Sequence, residues 1–278
     1  MNKDTNQNMA LINAYKMDGL GNNFIIIDRR KNKIELSKDK ILSITKRKIT
    51  PFDQLITLEK EIKNNYPIKI FNSDGVEVSA CGNGARCIAY LIFNENKQKS
   101  ISIKTKERIL SAEIVGKQKV KMNMGKPKFE WDEVPLSESM NTQEISIDFL
   151  DKNYGYGFCL NVGNPHIIFF VKDSSKVDIK KIGPKIENHR YFPQKINTTF
   201  AEVLDKKNIK VNVWERGAGK TKACGTAACA ASVVASMKGL TDKNLQVHFE
   251  KGSLQINYKE DIFMTGPVSE VERIDIDI

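Results

Sequence analysis

The chain reads as an α+β protein made of two repeated halves, in each of which β-strands enclose one buried α-helix. Three observations predict this. The hexapeptide Ala80-Cys81-Gly82-Asn83-Gly84-Ala85 is written again as Ala223-Cys224-Gly225-Thr226-Ala227-Ala228. Landmarks around the two copies keep step: Gly21-Asn22 and Gly163-Asn164 lie 60 and 61 residues before their cysteine, and Gln54 and Asn197 each lie 27 before. Asn72 and Glu215 each precede by nine, while Gly125 and Gly266 follow by 44 and 42, so the chain is a duplicated unit. Finally, each hexapeptide opens a stretch that is apolar nearly all round, the pattern of a helix surrounded by protein. The expected division is residues 1–127 and 128–267, with 268–278 left over after the second repeat.

In order, Met1–Ala10 is polar and is expected to be a disordered tail. Leu11–Lys16 and Phe24–Asp28 read as strands around the turn Met17–Asn22, which places Asn22 on a loop. Ser37–Lys48 has helical spacing at Ile41, Leu42 and Ile44 until Pro51 stops it, and Gln54–Leu58 and Tyr66–Phe71 return to strand. Asn72-Ser73-Asp74-Gly75 turns the chain into a helix over Gly84–Phe93, followed by strands near Ser100–Lys104, Ile109–Val115 and Lys119–Met124. A proline-punctuated link, Lys126–Pro135, closes the half.

The second half repeats the order. Strands are expected at Tyr156–Val162, Ile167–Val171, Thr198–Leu204 and Lys210–Glu215, with a short helix after Asp178. The central helix runs from Cys224 to about Lys238 without a charge until its end, and strands at Leu245–Glu250, Leu254–Tyr258 and Ile262–Thr265 complete the set. Val268–Ile276 alternates like a strand and is expected to pack back onto the first half.

Composition narrows the function. The net charge of +10 comes from lysines and arginines scattered along the chain, without basic blocks or interleaved aromatics, so neither nucleic acid nor a membrane surface is the expected partner. Five cysteines, an odd number, and a polar start without a signal-peptide pattern point to a reducing cytoplasm. Neither Cys81-x5-Cys87 nor Cys224-x4-Cys229 has zinc-site spacing, so no metal is expected. Gly217-Ala218-Gly219-Lys220-Thr221 ends like a phosphate-binding loop, but Trp214 stands where that motif needs glycine. Gly82-Asn83-Gly84 lacks the third glycine of a dinucleotide fingerprint, Cys87 occupying its place.

The chemistry lies in the repeated cysteine. A cysteine just before a helix sits where backbone N–H groups lack partners and the helix dipole is positive, which favours a thiolate or a bound carboxylate. Gly82 and Gly225 leave room for a ligand against the backbone. If a pseudo-twofold axis relates the halves, the two helix starts face each other across one small carboxylate-bearing ligand. One sulfur then takes a proton from a carbon while the other delivers one to the opposite face, inverting the centre. Cys87, Cys159 and Cys229, lacking this position, read as packing. On local evidence His166 reads equally as structural, and Glu215 equally as a strand cap or a partner of Arg216.

Four stretches carry a family resemblance: Met17-Asp18-Gly19-Leu20-Gly21-Asn22-Asn23-Phe24; Phe71 to Gly75 with Cys81 to Cys87; Asn161-Val162-Gly163-Asn164-Pro165-His166; and Trp214 to Gly219 with Ala223 to Thr226. From about Ala14 to Pro267 the chain resembles the diaminopimelate epimerases. The resemblance implies two pseudo-symmetric domains, each a mostly antiparallel sheet wrapped around a central buried helix, and a cofactor-free isomerase of lysine and peptidoglycan precursor synthesis acting on diaminopimelate in the cleft between them. It makes Cys81 and Cys224 the acid/base thiols, assisted by His166 and Glu215. Asn22, Gln54, Asn72, Gly82, Asn83, Asn164, Asn197, Glu215, Arg216, Gly225 and Thr226 would bind substrate. Asp18, Asn23, Ala227 and Thr50-Pro51 depart from the family's pattern, and a homodimer is left open. Two other classes share the features: a proline-racemase-like enzyme, and a thiol redox protein, which usually spaces its cysteines as Cys-x-x-Cys.

Overall fold

The structure, a computed structural model, describes residues 11–31, 34–46, 51–78 and 81–277. The expected tail at Met1–Ala10, the end of the helix expected at Ser37–Lys48, and Thr50 and Ala80 lie outside those residues.

The first half contains β1 (Leu11–Asp18), β2 (Asn23–Asp28), α1 (Lys38–Lys46), β3 (Gln54–Leu58), β4 (Tyr66–Asn72), the two-residue β5 (Glu77–Val78), α2 (Gly82–Asn96), β6 (Ser100–Lys104), β7 (Ile109–Gly116) and β8 (Lys119–Gly125). The second contains β9 (Phe158–Asn161), β10 (Pro165–Phe170), α3 (Ile179–Glu187), β11 (Asn197–Asp205), β12 (Asn208–Glu215), the short β13 (Gly219–Lys220), α4 (Gly225–Met237), β14 (Asn244–Phe249), β15 (Gly252–Tyr258) and β16 (Ile262–Pro267), followed by β17 (Glu272–Asp277).

The duplication is visible strand by strand. β2 and β3 pair parallel with Phe24 opposite Gln54, and β10 and β11 pair parallel with His166 opposite Asn197. β3–β4 and β11–β12 are antiparallel, β4–β6 and β12–β14 parallel, and the meanders β6–β7–β8 and β14–β15–β16 antiparallel. The halves join through their equivalent last strands, β8 and β16, antiparallel with Met122 opposite Met264. A strand pairing with its own repeat mate is what a pseudo-twofold relation produces.

Each half curls around its central helix. Gly82 to Ile92 of α2 are all buried, as are most residues of α4, so the nearly uniform apolarity has the predicted cause. The helix starts two residues earlier than its apolar spacing predicts because Cys81, extended at φ −146°, caps it: its sulfur accepts the Gly84 N–H at 3.4 Å. The closing strand is shorter than Val268–Ile276, since the chain first crosses back: the Val268 N–H bonds Gln118 O and the Ser269 N–H bonds Asp18 O. β17 then pairs antiparallel with β1. No helix among the described residues is long and apolar enough to cross a membrane.

Candidate active site

The starts of α2 and α4 meet at a cleft of about 700 Å³ lined by both halves. Cys81 and Cys224 each occupy the extended position just before their helix, with φ −146° and −135°. The first N–H groups of a helix have no partner within it, and the residues that carry them here, Gly82, Asn83, Gly225 and Thr226, line the cleft. Met264 wedges between the two starts. A Cβ on Gly82 would lie 3.0 Å from Met264 Cε, and one on Gly225 2.8 Å from Met264 Sδ, so the end of this flexible side chain fills the space that the two glycines leave.

Asn22, Gln54, Asn72, Cys81, Gly82, Asn83, Asn164, Asn197, Glu215, Arg216, Cys224, Gly225 and Thr226 all line the cleft. β-pairing explains the amides: Gln54 lies opposite Asn72 in register, and its Nε2 donates to Asn72 Oδ1 at 3.0 Å. In the second half Asn197 Nδ2 donates to Pro165 O at 2.7 Å, and its Oδ1 accepts the Arg216 N–H at 2.9 Å. The Arg216 side chain donates to Gln194 O at 2.9 Å.

His166 is the exception among the expected residues. It is fully buried, does not line the cleft, and sits behind Asn164 with its Nε2 2.9 Å from Asn164 Oδ1. Its repeat mate by register is Phe24, a core residue. Burial, with the Arg216 charge adding, pushes its pKa down to about 3, so the ring is neutral at pH 7.

The thiols differ from what their helix positions alone suggest. Burial pushes Cys81 up to about 11 against the pull of the Gly84 N–H, and the Glu215 carboxylate adds to the rise. Cys224, buried and next to Glu215, is held well above the ordinary thiol range. Desolvation therefore outweighs the helix ends, and both thiols hold their protons beyond the ordinary thiol range. Burial also raises Glu215, although Thr221 and Cys224 alongside draw it back.

Two of the positions that depart from the family's pattern, Asp18 and Asn23, tie loops. Asp18 Oδ1 accepts the Gly21 N–H at 2.8 Å and so fixes the turn before Asn22. The Asn23 N–H donates to Asp53 Oδ2 at 2.8 Å, and the Asp53 N–H returns to Asn23 O. Ala227 is buried in α4. Two residues that sequence reasoning missed also matter. Arg108 lines the cleft, and Glu187 at the end of α3 holds the loop that carries Glu215 and Arg216. Arg108 stands 27 residues after Cys81, as Lys251 does after Cys224, so the repeat register carried that signal; nothing in the sequence marks Glu187.

Residues 14–130 and 158–271 match the sequence profile of the family described as diaminopimelate epimerase. The chain belongs to the diaminopimelate epimerase family. It is 47% identical over 270 residues to the diaminopimelate epimerase of Pelagibacter ubique (strain HTCC1062), covering 95% of this chain and 98% of that relative. Solved structures at low identity share the fold. A phenazine biosynthesis protein of the PhzF family from Enterococcus faecalis matches with a TM-score of 0.71 at 13% identity, over 97% of this chain and 100% of that one. A hydroxyproline epimerase from Agrobacterium vitis matches with a TM-score of 0.65 at 9% identity, over 96% and 93% of the two chains. The α+β architecture read from the repeat is the fold of these proteins.

Proposed function

We propose that Cys81 and Cys224 are the two proton carriers with which this epimerase interconverts LL- and meso-diaminopimelate. The observation that carries the assignment is their equivalence: two cysteines in the same cap position of two facing helices, on one cleft. One sulfur first gives its proton to a base, which for Cys224 would be the Glu215 carboxylate beside it, and as a thiolate takes the α-proton; the electron pair left on the carbon delocalises into the adjoining carboxylate. The opposing thiol returns a proton to the other face, and the pair ends with its proton exchanged between sulfurs. The N–H groups of Gly82, Asn83, Gly225 and Thr226 would receive the growing carboxylate charge.

In this reading Glu215 serves Cys224, beside which it lies. His166 acts through Asn164, as a positioning residue rather than a proton carrier, because its ring reaches Asn164 and not the cleft. Asn22, Gln54, Asn72, Asn164, Asn197 and Arg216 read the remainder of the substrate, with Arg216 supplying the planar fork that fits a second carboxylate.

The same reading divides the chain into domains 1–127 and 128–267, with 268–278 completing the first. The repeated pairing pattern of each half supports it. A cytoplasmic setting is supported by five cysteines that are all unpaired.

Incubating the purified protein with LL-diaminopimelate in heavy water and following the α-proton by NMR tests the function. Deuterium enters as the meso isomer forms; solvent exchange absent in the wild type, or present with proline instead, would sink the substrate reading.

A further inference from the structure

The two halves touch across the cleft through a reciprocal pair of cations. Arg108, 27 residues after Cys81, lies against Gly163 of the second half; Lys251, 27 residues after Cys224, lies against Gly21 of the first. Gly163 and Gly21 are themselves repeat mates, each immediately before a cleft asparagine, Asn164 or Asn22. Each half therefore lays one basic side chain on the other half's Gly-Asn turn.

The two contacts are chemically unequal. Arg108 Nη1 donates to Met124 O in its own half at 2.9 Å and to Val162 O in the other at 3.2 Å. The guanidinium also packs so closely on Gly163 that any side chain there would collide with it, and Gly163 has a φ of +109° that disfavours one anyway. The turn is further tied by the Gly163 N–H to Asn161 Oδ1 at 2.8 Å. Lys251, by contrast, is exposed and offers its stem, with Cγ 3.0 Å from where Gly21 would carry a Cβ. A charged nitrogen bonded to one carbonyl of each half ties a peptide in place, whereas an aliphatic stem only covers one.

We infer that Arg108 is a positioning residue for the epimerase reaction, clamping the Val162–Gly163 peptide so that Asn164 is preset toward the substrate, while the turn before Asn22 is held within its own half by Asp18 and Lys251 only covers it. The inference rests on the assignment of the cleft as the diaminopimelate site. Arg108 acts through Asn164, so its contribution to catalysis disappears when the Asn164 side chain is gone.

The test uses the full chain with Arg108→Met, Arg108→Lys and Lys251→Met, each also in an Asn164→Ala background. Without substrate, hydrogen exchange read by mass spectrometry accelerates in the 161–164 segment of Arg108→Met by about tenfold, the size expected for one hydrogen bond to a charged group, and stays unchanged around 20–23. Lys251→Met does the reverse and more weakly. With diaminopimelate, Arg108→Met lowers kcat/KM by about tenfold in the wild-type background but by less than about twofold in Asn164→Ala, and Arg108→Lys falls between. Unchanged exchange at 161–164, or an equal loss in both backgrounds, overturns the inference. So does failure of both Arg108 variants to fold, which would make the arginine a general structural element. A wild type inactive on diaminopimelate defeats the substrate assignment instead, and the exchange measurement then decides the clamp on its own.

Discussion

Trp214 donates its indole N–H to Glu187 Oε2 at 2.7 Å, and the other oxygen of that buried carboxylate accepts the Gly217 N–H at 3.0 Å. The two bonds bracket Glu215 and Arg216, so a residue outside the cleft sets the direction of two inside it. Replacing Glu187 by Ala removes both bonds; Trp214 is half-buried and Gly217 exposed, so water can reach the donors and each bond lost costs about 0.5–1.5 kcal/mol. Thermal melting should show the lost stability, and kinetics should show KM rising several-fold in the surviving folded enzyme. A KM equal to wild type would mean that the loop keeps its shape without the carboxylate.

Cys81→Ala and Cys224→Ala each remove one face's proton carrier. Epimerisation of diaminopimelate should fall by about 10²–10⁴-fold in either variant, the range for a single acid/base group, while circular dichroism stays native. Retention of more than about a tenth of the activity by either contradicts a two-base reaction.

Thiol reactivity should report the desolvated cleft. Alkylation needs the thiolate, and burial holds Cys81 up at about 11 and Cys224 further above the ordinary range. Iodoacetamide labelling of the ligand-free protein should therefore keep accelerating as pH rises towards 11, with Cys81 modified before Cys224 in peptide maps. A plateau near the ordinary thiol value of 9.0 would show that the helix ends win over burial.

His166 links pH to stability. Its pKa is about 3 in the folded chain against an ordinary 6.5, so only the unfolded state takes up its proton between those values. The stability it contributes is complete above 6.5 and is lost as pH falls towards 3. Urea midpoints of wild type and His166→Gln should diverge over that window, the variant showing the shallower decline; parallel curves would mean that the ring is protonated in the fold.

Arg216→Met should lower kcat/KM on diaminopimelate by at least tenfold, since an unpaired buried carboxylate costs about 2–5 kcal/mol. Arg216→Lys should recover little, because an ammonium cannot reproduce the two parallel bonds. Steady-state kinetics of both variants decide this, and values within threefold of wild type remove Arg216 from substrate selection.

Much of this site was legible because duplication writes each element twice. Gln54 and Asn197 sit at one register in two equivalent strands, and Cys81 and Cys224 cap two equivalent helices, so spacing alone paired them. Spacing could not reveal the protonation of the sulfurs, which depends on how completely strands from both halves close over the helix starts. Nor could it separate His166 from the cleft, since only the parallel pairing with β11 turns that ring behind Asn164. Glu187 was hidden for another reason: its partners Trp214 and Gly217 lie 27 and 30 residues away, and the contact has no periodic signature.

The pairing of β17 with β1 has a consequence for the order of events during synthesis. β1 lies between β2 and β17, Leu11 opposite Asp277 and Lys16 opposite Glu272. A ribosome that has delivered the first half as far as Gly125 has made only one of β1's two neighbours, and the other, β17, begins 147 residues later at Glu272. Through that interval the nascent chain carries an open strand edge, the feature most prone to recruit foreign strands. Its most exposed period is thus translation itself, and it ends when the final strand docks.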